Sequence, residues 1–500
     1  MKKDEKTKSF EDHLWDAACK LWGHISASEY RKVFLGLIFL RNASLAFEQR
    51  REELLTKGWG LEDDRDCYTM ENVVFMPQEA RWQTIAAAAH TPRIGEVIDR
   101  AMKAIEKENP KLEGVLPCDY AREELDKRAL GDVVDTFTNM DVQAARQDQD
   151  LLGRTYEYCL ERFAEREGKK GGEFYTPASI VRTIVEVLNP VGKCRIYDPC
   201  CGSGGMFVQS ARFIAAHTST PNDFIIFGQE SNADTRKIAK MNLAIWRVEA
   251  NLGAAAADTF RNDLHKNLRA DYILANPPFN YHPWGQEELT GDPRWHYGLP
   301  PANNANFAWM QHMIYHLSPR GKIGLVLANG ALSTQAGGED QIRRSIIEDD
   351  LIEGIIALPT QLFYSVTIPV TLWFITKGKR QAGKTLFVDA RKMGRMKDRK
   401  HREFTDDDIT RLASTMRAFQ EGTLKEERGF CAVATTQEIA AQEYILTPGR
   451  YVGIDEADEE DESFDEQMES LTLELADMFT RSGKLEEEIR IKLAEVGWEI

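Results

Sequence analysis

The pattern of apolar and polar residues changes near residue 150. Residues 10–150 show mainly helical periodicity, most clearly in the long apolar segment EYRKVFLGLIFLRNASLAFEQRREELL. From about 150 to 390, short apolar runs alternate with helical segments, which is typical of a doubly wound, mostly parallel α/β sheet. The runs predicted to be strands are CRIYD (194–198), DFIIFGQ (223–229), DYILAN (271–276), KIGLVLAN (322–329), LIEGIIALP (351–359), PVTLWFIT (369–376) and TLFVDA (385–390).

These patterns predict four parts of the chain. They are an N-terminal helical domain (1–150), an α/β domain that carries the chemistry (151–400), a connecting segment (401–455) and an acidic helical tail (456–500). The tail has an apolar seam with the 4, 3, 4, 3 spacing of a heptad repeat, formed by Phe464, Met468, Leu471, Leu475 and Met478. Such a seam either docks on a partner's helices or packs on its own chain.

Charge is distributed unevenly along the chain. The net charge is −17, and residues 451–500 hold 17 acidic and 4 basic residues, so this tail carries −13 and the rest only −4. An acidic tail of this kind faces away from nucleic acid, but it leaves a nearly neutral body free to bind it. The basic stretch 377–402 is either a phosphate contact or a solvated loop.

Two further features bear on the location of the chain and its redox state. The longest apolar run, 33–40, is too short for a membrane span, and the first residues lack the apolar core of a signal peptide, so we expect a cytoplasmic protein without membrane contact. The eight cysteines form no CxxC pair, so no thiolate metal site is expected and the thiols should be reduced.

A glycine-rich turn follows the first predicted strand. In RIYDPCCGSGGMF, Asp198 ends the strand, and Gly202, Gly204 and Gly205 precede a helix. Glycines let a ligand approach the backbone, and N–H groups at a helix start can bind a carboxylate. The Gly-Lys-Ser/Thr ending of a phosphate loop is absent. The turn predicts a ligand site, although glycines also occur in ordinary tight turns.

An acidic residue ends the next predicted strand. Glu230, in FIIFGQE, lies 32 residues after Asp198. In dinucleotide-binding folds an acid at this strand end accepts hydrogen bonds from ribose hydroxyls. The alternative is a carboxylate that only stabilises the start of the following helix. Its position after the glycine turn favours the ribose role.

The segment LANPPFN follows a third buried strand. Pro277 and Pro278 fix the backbone, so the Asn276 side chain and the Pro277 carbonyl are held in place as two acceptors for an NH₂ group. Phe279 offers an aromatic face on which a planar ring can stack. Together they predict a pocket for a nucleobase amino group, with a rigid loop as the alternative.

The segment GGEFYTPASIVRTIVEVL lies just ahead of the first strand. Thr176 is predicted to be the N-cap of a helix whose first residue is Pro177. Its proximity to the glycine turn suggests a lid over the same ligand.

The four motifs GEFYTP, DPCCGSGGM, GQE and NPPF, in this order, resemble the methylase subunit of type I restriction–modification systems. The resemblance covers nearly the whole chain, including DPRWHYGLPPANNANFAWMQHMI and LTPGRYVG. It implies a Rossmann-like, S-adenosyl-L-methionine-dependent adenine-N6 DNA methyltransferase with an N-terminal helical domain and a C-terminal helical tail. It also implies a specificity subunit, a restriction subunit, a second copy of this chain and double-stranded DNA as partners.

The resemblance also assigns roles to individual residues. The catalytic set is Asn276, Pro277, Pro278 and Phe279. The cofactor-binding set is Glu173, Phe174, Tyr175, Thr176, Pro177, Ala178, Asp198, Gly202, Ser203, Gly204, Gly205, Glu230 and Asp258. Asp258 would contact the cofactor adenine, with Asp263 as a competitor, because the family often has glycine where this chain has Ala257.

Other interpretations stay open on the residues alone. NPPF-type loops also serve methyltransferases that act on cytosine N4, on guanine N2 in RNA and on protein glutamine. Pro199-Cys200 resembles the nucleophile dipeptide of cytosine-C5 enzymes, but it lies in the predicted cofactor turn and not in the base pocket.

After the catalytic region only about 100 residues remain, too few for a base-reading surface of roughly 1,000 Å². Sequence recognition is therefore expected from another chain.

Overall fold

A computed structural model describes the greater part of the chain. The described residues are 14–16, 19, 26–139, 151–167, 175–217, 223–363, 369–398 and 401–453, with the single positions 472, 482, 486 and 492. The heptad seam at 464–478 lies outside them, apart from residue 472. None of the described helices is long and apolar enough to cross a membrane.

The N-terminal part is helical, as predicted. Its first long helix begins after Ser26, whose hydroxyl forms a capping box with Glu29, and ends at Gly58 in the left-handed conformation that glycine favours. Aromatic side chains hold the unit together, with Tyr30 and Phe34 packed against Phe163. The helices are α1 (Ala27–Lys57), α2 (Asp66–Thr69), α3 (Trp82–Ala87), α4 (Ile94–Glu108), α5 (Lys127–Thr138) and α6 (Leu151–Glu167).

A nine-stranded sheet forms the centre of the second part. Its order is β11-β8-β6-β7-β5-β4-β1-β2-β3, with β7 and β11 antiparallel to their neighbours and the others parallel. All seven runs predicted to be strands lie in this sheet. The strands are β1 (Cys194–Asp198), β2 (Phe224–Gly228), β3 (Ala250–Asn251), β4 (Ala270–Ala275), β5 (Leu317–Ala328), β6 (Ile352–Ala357), β7 (Val370–Thr376), β8 (Lys384–Asp389) and β11 (Cys431–Thr435), with β9 (Arg395–Met396) and β10 (Arg402–Glu403) in a separate hairpin.

Helices cover both faces of the sheet, so the doubly wound α/β class is confirmed. Alternate residues of one strand enter different cores: Val326 packs on one face, and Leu325 and Leu327 pack on the other. The first face is covered by α7, α8 and α12, the second by α10, α11, α13 and α14. The helices after α6 are α7 (Ala178–Leu188), α8 (Gly205–His217), α9 (Ala233–Ile245), α10 (Asn306–His316), α11 (Glu339–Glu348), α12 (Asp406–Glu421), α13 (Thr436–Ala441) and α14 (Gly449–Val452).

Helices α6 and α9 join the N-terminal unit to the sheet. Ile238 and Met241 of α9 belong to the hydrophobic core of the N-terminal unit. Gly153 of α6 lies against the indole of Trp246, where an added Cβ would come within 2.6 Å of the ring. The nine-stranded sheet and the helical unit therefore share a packed boundary.

The sheet extends beyond the predicted domain end at residue 400. The segment 401–455 was predicted to be a connection, but it contributes β11, which pairs with β8 over five residues. It also contributes α12, which packs against α7. Its apolar residues, including Leu412 and Met416, complete one core of the sheet. The structure thus continues the α/β unit through this segment.

Candidate active site

The glycine turn joins β1 to α8 at the carboxyl edge of the sheet. Gly202 and Gly204 have φ values of 54° and 80°, which L side chains rarely adopt. The Asp198 carboxylate accepts a hydrogen bond from the backbone N–H of Cys200 at 2.9 Å. The turn therefore holds Asp198 beside the start of α8, as the motif predicted.

Glu230 lies directly across this turn. Its Oε2 accepts from the Gly202 N–H at 3.0 Å, and its Oε1 accepts from the Asn232 N–H at 2.8 Å. The cap of α9 is supplied by Asn232, whose side chain accepts from the N–H groups of Asp234 and Thr235. Glu230 is therefore not the helix cap, and its carboxylate joins the two strand ends.

Asp198 and Glu230 form a buried pair of carboxyl groups. Asp198 is 2% exposed and Glu230 is 8% exposed. Burial raises the pKa of Asp198 to about 7, against hydrogen bonds from Cys200 that lower it. Burial likewise raises the pKa of Glu230. Across the described ranges, neither carboxylate has a salt-bridge partner, so this site lacks a cation and fits a positively charged ligand.

Asn276 follows β4 and contacts the segment that precedes α7. Its Nδ2 donates to the Thr176 hydroxyl at 3.0 Å. Its Oδ1 is buried and has no hydrogen-bond partner among the described residues. A buried acceptor left unpaired is costly, so this oxygen marks a place for a donor from outside the chain.

The prediction that Thr176 caps helix α7 was wrong. The helix begins at Ala178, and the capping position is Pro177, which makes no side-chain cap. The Thr176 hydroxyl is instead used by Asn276, one hundred residues away. Sequence spacing gives local caps but cannot reveal a competing partner that is distant along the chain.

One cavity brings together seven of the predicted site residues. Of the predicted GEFYTP residues, Glu173 and Phe174 lie outside the described residues, while Tyr175 and Thr176 line the cavity. Glu230 is hydrogen-bonded to the lining residue Gly202, and Pro177 and Gly204 each directly follow a lining residue in sequence. The residues that line it are Tyr175, Thr176, Asp198, Cys200, Cys201, Gly202, Ser203, Gly205, Met206 and Asn276.

Phe279 borders the Asn276 side of the site. It is partly buried, and its ring meets that of Phe363 in an edge-to-face contact with centroids 6.0 Å apart. Phe363 lies in the segment that follows β6. The sequence did not identify it, because no local motif marks an aromatic residue that the fold brings next to Phe279.

The two candidate acids of the next loop have different surroundings. Asp258 is 28% exposed on its side chain and accepts from the N–H groups of Phe260 and Arg261. The preceding Ala257 N–H donates to the Glu230 carbonyl at 3.0 Å, which places Asp258 beside the carboxyl pair. Asp263 is buried and hydrogen-bonds to His316 at 2.9 Å. Asp258 is therefore the more accessible of the two acids.

A buried polar network binds the backbone of the loop that carries Asp258. Arg294 donates to the carbonyls of Thr259 (3.1 Å) and Phe260 (2.6 Å) and to Nδ1 of His312 (3.1 Å). The other ring nitrogen of His312 contacts the Tyr197 hydroxyl at 3.1 Å, next to Asp198. Burial holds the pKa of His312 well below its usual value, so the ring is neutral.

The same network includes a cluster with metal-ligand residue types. Ligand atoms of Asp263, His312 and His316 lie within 4.8 Å of one another. Burial acts to raise the pKa of Asp263, but the His316 hydrogen bond and the neighbouring histidines outweigh it and lower that pKa to about 2. Each group already has a hydrogen-bond partner, and the Arg294 guanidinium is adjacent, so the cluster serves as structural support.

Sequence reasoning missed several supporting residues. The Gln229 side chain donates to the carbonyls of Ala257 (3.1 Å) and Asn262 (2.8 Å) and accepts from the Leu264 N–H. Asn242 of α9 donates to the Ser203 carbonyl at 2.9 Å. A polar residue directly after a buried strand, such as Gln229, is the signal that could have pointed to such a role.

Two family models match the chain. The N-6 DNA Methylase model matches residues 147–461, and the HsdM N-terminal domain model matches residues 10–137. The chain belongs to the family of type I restriction methylase subunits. This methylase chain is 45% identical over 446 residues to the HindI methylase subunit of Haemophilus influenzae, covering 85% of this chain and all of the relative. It is 37% identical to the MjaIX methylase subunit of Methanocaldococcus jannaschii, covering 99% of this chain and 92% of that one.

A solved structure shares the fold of this methylase chain. It is the methyltransferase subunit of a type I restriction–modification system from Streptococcus thermophilus, with a TM-score of 0.74 at 23% identity. The match covers 89% of this chain and 99% of that chain. The helical N-terminal unit and the doubly wound sheet are therefore features of a known architecture.

The surroundings of the Cys200 thiol, beside the carboxyl pair, disfavour its ionisation. Burial, the largest effect, and then Asp198 and Glu230 raise the pKa of Cys200 well above its usual value. A thiol that stays protonated is a poor nucleophile. The cytosine-C5 type of covalent chemistry thus finds no support at Cys200.

Proposed function

We propose that this methylase subunit transfers a methyl group to N6 of adenine in double-stranded DNA. The observation that supports the proposal is the buried Oδ1 of Asn276, which has no partner among the described residues. The exocyclic amine of adenine carries two N–H donors, and Oδ1 with the neighbouring Pro277 carbonyl would accept both. Because the amine of a paired adenine is inside the duplex, the base must first flip out.

We further infer that S-adenosyl-L-methionine binds on the Asp198 side of the cavity. The buried carboxyl pair without a cation fits a ligand that carries positive charge, and the N–H groups at the start of α8 fit its carboxylate. Glu230 would bind the ribose hydroxyls, Asp258 the adenine, and the Glu173–Ala178 stretch the methionine end. When bound, this cofactor supplies an electrophilic methyl group.

The residues of the chain would act on the target base by orientation. Phe279 gives the extruded ring a stacking face, which replaces stacking lost from the duplex. Asn276 and the Pro277 carbonyl would bind the amine hydrogens and turn the nitrogen lone pair out of conjugation with the ring. Holding reacting groups in line supplies much of the rate enhancement, and the same acceptors stabilise positive charge that develops on the nitrogen.

The partners follow from the same proposal. The matched proteins are named as methylase subunits of type I restriction enzymes, and we infer that this chain likewise works with a specificity subunit, a restriction subunit and a second copy of itself. The described part of the chain offers no separate domain of base-reading size, so the specificity subunit would choose the DNA site. The product would protect host DNA from the cognate nuclease.

Cytosine N4 is the closest alternative target because it also presents an amine with two donors. Mass spectrometry of nucleosides from DNA treated with the complex separates the two bases. The proposal expects N6-methyladenine; N4-methylcytosine alone would replace it with the alternative. RNA guanine-N2 and protein glutamine are less favoured, since the family model that matches residues 147–461 is described as N-6 DNA Methylase.

The role of Asn276 is tested with Asn276→Ala in the assembled complex. We expect the variant to lower the rate of methyl incorporation by about 100-fold or more, since the acceptors act on developing charge. Calorimetry should show nearly unchanged cofactor affinity. Asn139→Ala, an exposed asparagine at the end of α5, is the matched control. Activity of Asn276→Ala within about tenfold of wild type would contradict the assignment.

A further inference from the structure

The basic stretch 377–402 is divided between the two edges of the sheet. Its first part joins β7 to β8 at the edge opposite the active site, where Lys377 donates to the Leu317 carbonyl and Lys379 pairs with Asp350. Its second part follows Asp389, at the end of β8, and therefore lies at the same edge as Asp198 and Asn276. Only this second part is in a position to meet substrate.

The second part is built as a hairpin. Strands β9 and β10 pair through Arg395 with Glu403 and Met396 with Arg402. The Lys397 N–H donates to the His401 carbonyl at 2.8 Å, which closes the turn. We name residues 391–398 and 401–403 the basic hairpin. A paired hairpin presents its side chains at fixed positions, unlike a solvated loop.

One side of the basic hairpin is attached to the base pocket. The Arg402 N–H donates to the Gln361 carbonyl at 2.9 Å, and the Arg402 guanidinium donates to the Met393 carbonyl at 2.9 Å. Gln361 stands two residues before Phe363, whose ring contacts that of Phe279. The hairpin therefore lies beside the aromatic wall of the proposed target-base pocket.

The other side of the basic hairpin is attached to the cofactor-side wall. Lys397 Nζ lies 2.6 Å from Oε1 of Glu161, on α6. The other oxygen of that carboxylate accepts from the Tyr175 hydroxyl at 3.3 Å, and Tyr175 lines the cavity with Asn276. The hairpin thus bridges both walls of the cleft through which an extruded base would enter.

The basic hairpin carries a net positive charge. Its residues contain five Lys or Arg and two acidic residues, a net charge of +3. Two of the five cations pair with acids outside the hairpin, Asp389 and Glu161. Arg395 is held by Glu403 at 2.9 Å, yet its side chain is 71% exposed. Such a pair orients the guanidinium without burying it, and phosphate oxygens can still reach its remaining N–H groups.

We propose that the basic hairpin binds DNA phosphates that flank the target adenine. This inference rests on the proposed DNA methyltransferase function. It assigns a phosphate-binding role to 391–398 and 401–403 and none to 377–384. Binding there would hold the duplex while the base leaves the stack, and it would carry no sequence information.

The test compares two double variants in the complete complex with the specificity subunit. Lys392→Gln with Arg395→Gln removes two exposed charges of the basic hairpin. Arg380→Gln with Lys384→Gln removes two exposed charges of the same stretch at the opposite edge and serves as the matched control. DNA affinity is measured over a range of salt concentrations, beside cofactor affinity and the rate of methyl incorporation.

We expect the hairpin variant to bind DNA roughly 10- to 100-fold more weakly. The slope of log affinity against log salt should fall in magnitude by about 1.8, because each of the two lost phosphate contacts contributes about 0.9. The KM for DNA should rise while kcat and cofactor affinity stay near wild type. The control pair should leave the slope unchanged. Arg395→Lys with Lys392 intact keeps the charge and should keep the slope.

Three results would overturn the inference: an unchanged slope in the hairpin variant, an equal loss in the control pair, or loss of complex assembly, which would make the hairpin a protein contact. These failures differ from failure of the proposed function. In the latter case the wild-type complex itself would leave no methyl group on DNA bases.

Discussion

Asn276 and Thr176 form the contact that orients the proposed amine acceptor. With Nδ2 held by the Thr176 hydroxyl at 3.0 Å, Oδ1 is left without a hydrogen-bond partner among the described residues. Thr176→Val keeps the side-chain shape and removes the hydroxyl. A hydrogen bond between uncharged groups contributes about 0.5–1.5 kcal/mol, so kcat should fall by roughly 2- to 12-fold with little change in cofactor affinity.

Thr176→Ser is the matched control, because it retains the hydroxyl and should keep kcat near wild type. Steady-state methylation assays of the complex measure both variants. If Thr176→Ser is as slow as Thr176→Val, the methyl group rather than the hydroxyl matters, and the orienting role of Thr176 is refuted.

Asp198 gives a pH-dependent prediction at the same scale. Its pKa is raised from 3.8 to about 7 in the ligand-free fold. The folded chain therefore keeps a proton that the unfolded chain loses above about pH 4, and stability decreases as pH rises from there toward 7. Asp198→Asn, which cannot ionise, should be more stable than wild type, and its advantage should grow by about 2–3 kcal/mol between pH 5 and pH 8.

Urea unfolding of the cofactor-free chain at pH 5 and pH 8 measures this difference. Calorimetry should show that wild-type cofactor affinity rises with pH through about 7, since a cationic ligand favours the ionised carboxylate. Asp198→Asn should bind the cofactor weakly at every pH. An equal stability advantage at both pH values would show that Asp198 is not a buried, proton-retaining acid.

At the scale of elements, Arg294 connects the loop after β3 to helix α10. It is 5% exposed and binds two loop carbonyls, His312 and Asp292. Arg294→Met leaves these groups unpaired, and loss of one partner of a buried charge pair costs about 3–5 kcal/mol. Cofactor affinity should fall as well, because the loop carries Asp258.

Arg93→Met is the matched control, away from this loop. The Arg93 guanidinium pairs with Glu96 at the surface, and exposed pairs contribute about 0–1 kcal/mol. Urea unfolding and calorimetry compare the variants. Equal effects of the two substitutions would mean that burial of Arg294 has no special importance.

Periodicity identified the long strands and helices because each of these elements buries an apolar face. Periodicity did not predict two short strands: β3 has only two residues, and β11 shows only weak alternation of buried and exposed positions. The NPPF and GQE motifs predicted Asn276 and Glu230 from residues that are adjacent in sequence. Phe363, Arg294 and the partner of Thr176 could not be predicted in this way, since their contacts join residues brought together only by the sheet.

At the scale of the whole molecule, the helical unit and the sheet are joined through α6 and α9. Ion pairs cross the boundary at Lys32–Asp234 and Lys111–Glu249, both at 2.7 Å. The glycine turn packs on α9 through Asn242, and α9 packs on the helical unit. The N-terminal helices and the glycine turn therefore contact the same helix.

The tail remains a prediction, because its seam lies outside the described residues. We expect Leu471→Asp with Leu475→Asp to place charges in the apolar seam and to abolish pull-down of the specificity subunit, while cofactor binding survives. Ser470→Asp with Ala476→Asp adds two charges away from the seam and should assemble normally. If the seam variant also assembles, the helix packs on its own chain and docking uses another surface.

The lone acceptor Oδ1 of Asn276 has a consequence for turnover. In the proposed reaction, adenine would offer two N–H groups to Oδ1 and the Pro277 carbonyl, whereas the methylated amine would retain only one. One acceptor is then left unsatisfied, at a cost of about 1–3 kcal/mol. The methylated base should consequently leave the pocket readily, and the enzyme should stop after a single methyl group.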